Sequence, residues 1–149
     1  MSPATSKIEL PLNSDAEIAR LVDQFEVQEL PYKHWTHRAH LAVAVYYLHN
    51  HTFNETLKTI RRKINDYNRA RGDPNGYNET VTIAFLAKIR EQLTQPSSRI
   101  SAWQDFTLAV STCTIAWLYN HYSPELVWSD EAKARWVPPD LTDFPFPTQ

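Results

Sequence analysis

The sequence predicts an all-α protein: a single compact bundle of about five helices, with a short further helix near the C-terminus. Three observations carry this. Only two glycines, Gly72 and Gly76, occur in 149 residues, and both fall in one loop, whereas a β-rich chain needs turn glycines throughout. Ser14 with Glu17, Thr52 with Glu55 and Ser101 with Gln104 repeat the spacing by which a hydroxyl and a carboxylate or amide satisfy the free amides of a helix start. Between these starts, apolar residues recur at steps of three and four.

The first helix is expected from about Asp15 to Gln28, burying Ile18, Leu21, Val22 and Phe25, with Pro31 closing the segment. The second begins after Thr36 and ends near Asn50. Leu41 to Leu48 carry no charged side chain, so this helix is apolar all round and expected at the centre. Its valines and tyrosines would also suit a strand, but its length and its cap favour a helix. The third, from about Phe53 to Arg71, places Phe53, Leu57, Ile60, Ile64 and Tyr67 on one face. Gly72 suits the position after its end, and Asp73-Pro74-Asn75-Gly76 makes the turn.

The fourth helix, from about Glu79 to Leu93, buries Thr82, Leu86, Ile89 and Leu93. The fifth, from about Ala102 to His121, carries Trp103, Phe106, Val110, Cys113 and Trp117 on one stripe. A short helix after Ser129, through Trp136, precedes a proline-rich tail. No repeat divides the chain, so residues 1–149 are expected as one domain. Residues 1–13 are expected as a flexible lead-in and 138–149 as an extended tail.

Composition excludes several classes of function. Hydrophobic residues at 42% and charged residues at 21% describe an ordinary globular domain. A net charge of −2 gives no pull toward nucleic acid. Arg61-Arg62-Lys63, with Arg69 and Arg71, makes a solvated helix face without the interleaved aromatics of a single-strand binder. The lone Cys113 excludes an internal disulfide and a cysteine-rich zinc site, and its apolar setting suits an inert buried thiol. No N-terminal run resembles a signal peptide, and no apolar stretch approaches the roughly 18 residues of a membrane span. A cytoplasmic location is the expectation. The abundance of aromatics leaves a homodimer open.

The chemistry-bearing segment is His34-Trp35-Thr36-His37-Arg38-Ala39-His40, at the mouth of the apolar second helix. Imidazole is the side chain best suited to proton transfer or metal ligation near neutral pH. His37 and His40 share one helical face, in line with Ala44 and Tyr47. Glu79 extends the inward stripe of the fourth helix backwards from Thr82 and Leu86. His121 follows Trp117 by four on the fifth. All sit at helix ends, where a bundle can open to solvent.

If those ends meet, His37, His40 and Glu79 make an open site for iron, manganese or zinc, with His121 or His34 as a further ligand. Without a metal, the same residues offer a general base and a general acid, and Tyr46, Tyr47 or Tyr77 could hold a substrate. Trp35 could wall the pocket, and Arg38 could clamp a carboxylate or pair with a nearby acid. Asn78 belongs with these substrate-contacting candidates, although it is also a good N-cap. Each residue has a structural alternative. His40 could bond a backbone carbonyl, Glu79 could stabilise the helix dipole, and His121 could donate to a helix-end carbonyl.

Three blocks also resemble a family of small bacterial all-helical proteins with no assigned activity. They are Trp35-Thr36-His37-Arg38-Ala39-His40-Leu41, Gly76-Tyr77-Asn78-Glu79-Thr80-Val81-Thr82, and Ala134-Arg135-Trp136-Val137-Pro138-Pro139-Asp140-Leu141. The similarity runs from about Trp35 to Leu141. The family's middle block is usually Gly-Tyr-His-Glu-Thr, and this chain carries Asn78 in place of that histidine. The resemblance implies that His37, His40 and Glu79 belong to one shared feature; it supplies no reaction.

Together these residues lead to the expectation of a small enzyme acting on a small organic molecule. It would be an isomerase, cyclase or hydratase working by proton transfer, with or without a metal. His40 would be its base or ligand, with His37, Glu79 and His121 beside it. The alternative is a non-catalytic module for a small ligand or partner protein, in which the same residues form a buried polar network.

Overall fold

Why the chain turns where it does is written in its hydroxyls. The computed structural model describes residues 6–95 and 101–149. Ser14 opens α1 (Asp15–Glu26) and accepts from the Glu17 amide at 3.2 Å. Thr36 opens α2 (His37–Asn50), accepting from Ala39 at 3.1 Å. Thr52 and Glu55 form a complete reciprocal capping box before α3 (Phe53–Ala70). Asn78 caps α4 (Glu79–Leu93), and Ser101 caps α5 (Ala102–Thr112). Among the described residues there is no strand, and no helix is long and apolar enough to cross a membrane. The all-α expectation holds.

Helix α2 is the axis. Ala42 and Val45 are fully buried, and α1, α3, α4 and α5 all pack against it. One apolar core runs from Leu12 to Val137. Helix α1 ends at Glu26, two residues before the expected boundary, and Gln28 then takes a left-handed φ of 61°. A 3-10 turn at Tyr32–His34, not anticipated from the sequence, sets the entry to α2.

The fifth helix departs from expectation. It stops at Thr112, and a separate short α6 (Ile115–Leu118) follows. The cause is the run Ser111-Thr112-Cys113-Thr114, rich in residues whose side chains compete for backbone groups. Ser111 and Thr112 both turn their hydroxyls back on Leu108 O at 2.8 Å. Thr114 leaves the helix altogether and caps α6 by accepting from Trp117 N at 3.0 Å. The break releases the Cys113 carbonyl from helical pairing, and His37 takes it up.

Beyond the break lie α7 (Pro124–Val127) and α8 (Asp130–Ala134). The first of these was not expected, and the second ends before Trp136 because Arg135 is extended. The buried Thr80 hydroxyl explains that ending: it donates to Arg135 O at 2.9 Å and accepts from Val137 N at 3.1 Å. Residues 138–149 contain no regular element but are docked. Phe144 and Phe146 stack near Trp117, and Arg90 donates to Pro147 O and Gln149 O. Of the expected flexible lead-in, residues 1–5 lie outside the described residues. The rest is tied down, with Ile8 N on Lys33 O at 2.8 Å and Leu12 buried.

Candidate functional site

A cavity of about 300 Å³ opens between α2, α3 and α4. Its floor and walls are Leu41, Ala44, Ile60, Ile64, Val81, Phe85 and Leu86, with Ile115 and Trp128 completing it from the segments beyond the α5 break. His37 and His40 line it from α2, and Tyr77, Asn78 and Thr82 from the start of α4. Among the described residues, no Asp, Glu, Lys or Arg lines it. An apolar concavity with a few convergent polar groups is the usual form of a small-molecule site.

His40 is the best-defined of these groups. Its ring stacks on Trp35 at 3.7 Å between centroids, and its Nδ1 lies 2.7 Å from Thr36 O. A carbonyl oxygen only accepts, so Nδ1 carries the hydrogen and Nε2 keeps its lone pair. Burial pushes the pKa down to about 4; the Thr36 bond opposes this, and the charges of His37 and Lys7 add to it. His40 is therefore a neutral imidazole near neutral pH. His37 is more exposed, and its Nε2 donates to Cys113 O at 2.7 Å, so in the neutral ring the lone pair is on Nδ1, the opposite tautomer to His40.

The remaining expected residues are distributed differently. Glu79 does not face the cavity. As the first residue of α4 it swings out to α3, where Arg61 grips it through Nε at 3.0 Å and Nη2 at 2.6 Å. Tyr77 donates to the same carboxylate at 2.6 Å. Burial by itself would raise the Glu79 carboxyl, but the Arg61 and Tyr77 hydrogen bonds and the Arg61 charge outweigh it and hold the pKa below its ordinary value. Among the described residues no group of three His, Cys, Asp or Glu side chains is placed to hold a metal ion. The expected His37–His40–Glu79 ligand set is thus not assembled, since Arg61 occupies the carboxylate.

His121 is also elsewhere. It is buried beside Phe144 at 4.4 Å, and its Nδ1 donates to Thr142 O at 2.7 Å, so it anchors the tail. The helix break explains the misplacement, because Trp117 and His121 do not share one continuous helix. Arg38 pairs with Glu9 at 3.2 Å. Tyr47 donates to Glu26 on α1, away from the cavity. Trp35 is a buried backing plate behind His40, between it and Phe25, and not a cavity wall. Asn78 lines the cavity, and its amide is held by two bonds: Oδ1 accepts from Val81 N at 2.9 Å and Nδ2 donates to Val127 O at 2.8 Å. His34 bonds Ile8 O. Burial pushes the Cys113 thiol up to about 11, consistent with an inert group.

Sequence reasoning missed Phe85, Ile115 and Trp128. Phe85 sits on the same α4 stripe as Thr82 and Leu86, one turn on, and was legible as part of the core. Ile115 and Trp128 belong to the cavity only through the path of the chain after Cys113, which no local pattern discloses. Comparison with protein-family models, with curated proteins and with solved structures gives no match.

Proposed function

We propose that the cavity takes up one small, uncharged and mainly apolar organic molecule, which His40 contacts. The observation that carries this reading is a fixed, neutral imidazole, its Nδ1 held by Thr36 O and its Nε2 lone pair uncommitted, in the lining of a largely apolar cavity. A charged ligand would lose its hydration there without gaining a counter-ion. Binding is favoured over turnover by the same geometry. A base works best with a pKa near the operating pH, and burial holds His40 well below it. No carboxylate supports its Nδ1, which rests on a backbone carbonyl.

A second reading, proton transfer in the manner of an isomerase or hydratase, draws support from His37. The two imidazoles line one cavity with opposite tautomers, so one could take a proton while the other relays it. A protein-observed NMR screen with uncharged fragments tests the common element of both. Shifts should cluster on residues around Leu41, Ala44 and Phe85 and disappear in Ala44→Phe, which fills the space. Hits confined to other surfaces, or surviving that substitution, would contradict it.

A further inference from the structure

The His40 imidazole in the cavity wall offers an acceptor and no donor. Asn78 accepts through Oδ1 and donates through Nδ2 to Val127 O. Tyr77 spends its proton on Glu79. His37 spends its ring N–H on Cys113 O, and His40 spends its own on Thr36 O. The ring nitrogen of His40 left over, Nε2, can only accept.

Around this acceptor the wall is built from rings: Phe85, Trp128, Tyr77 and the imidazoles themselves. Aromatic faces prefer aromatic partners in offset or edge-on contact. From the open acceptor on His40 and these rings we infer that the ligand is an uncharged aromatic molecule carrying an N–H or O–H donor, of the indole or phenol class, with that donor on His40 Nε2. The inference rests on the small-molecule reading of the cavity and sharpens it. At His40 Nε2 a pyridine or ketone, which brings only another acceptor, would face lone pair against lone pair.

Indole and benzothiophene make the decisive pair, since they are nearly the same size and only indole donates. Water itself favours indole, so a cavity that merely excludes water would bind benzothiophene more tightly. Calorimetric titration of the full chain should show the reverse order, with indole at least about tenfold tighter. His40→Phe keeps a ring against Trp35 but removes the acceptor, and should abolish the preference while benzothiophene still binds. Equal affinities for the unaltered protein, or tighter benzothiophene, would overturn the donor rule. If neither compound binds, or Ala44→Phe leaves binding unchanged, the cavity reading falls and the donor rule with it.

Discussion

Acid should destabilise this protein through one histidine. His40 has a pKa of about 4 in the folded chain against an ordinary 6.5. As the pH falls below the ordinary value the unfolded chain takes up a proton first, so stability declines between about pH 6.5 and about pH 4 and is untouched above that window. At about 1.4 kcal/mol per unit the full shift corresponds to roughly 3 kcal/mol. The ring keeps a margin of exposure to the cavity, so about 2–3 kcal/mol is the expected loss. Carboxylates such as Glu79, held below its ordinary value, also weaken the fold in acid, so the comparison must be made against His40→Phe. Urea unfolding of both proteins at several pH values isolates the histidine. The unaltered protein should lose about 2–3 kcal/mol more than the variant across the window, and ring-nitrogen NMR should place the His40 midpoint well below that of an exposed imidazole. Parallel pH profiles, or a midpoint near the ordinary value, would refute the burial argument.

Other perturbations separate scaffold from pocket. Glu79→Gln breaks the paired contact with Arg61 and should cost about 1–2 kcal/mol in denaturant unfolding, while fragment binding in the cavity stays unchanged. Thr114→Ala removes the cap that restarts the chain after α5 and should cost about 1 kcal/mol. Phe144→Ala should release the tail, seen as faster proteolysis near the C-terminus, with a stability loss of up to about 3 kcal/mol. Trp128→Ala removes a half-exposed wall, so stopped-flow measurement with a cavity ligand should show faster dissociation and an intact fold by circular dichroism.

The parts of this fold that were legible in the sequence are those fixed by short-range chemistry. Capping hydroxyls at Ser14, Thr36, Thr52 and Ser101 and the apolar stripes behind them set four helix starts correctly. Helical periodicity failed where local competition for backbone groups exceeded it, at Ser111–Thr114, and the error propagated to His121. Glu79 shows a different limit. Its position on the stripe was right by counting, but a first-turn side chain is free to swing outward, and Arg61, 18 residues earlier, took it. Arg38 met Glu9 across 29 residues in the same way. For the site, His37 and His40 could be found because two imidazoles interrupt an apolar helix mouth. The tautomers that define what they can bind depend on Thr36 O and Cys113 O, and the second exists as an acceptor only because α5 breaks.

A crystal structure of the protein soaked with indole tests the central claim most directly. The account predicts the ring between Phe85 and Trp128 with its N–H on Nε2 of His40. Indole bound elsewhere, or in the cavity with its nitrogen turned away from His40, would contradict it.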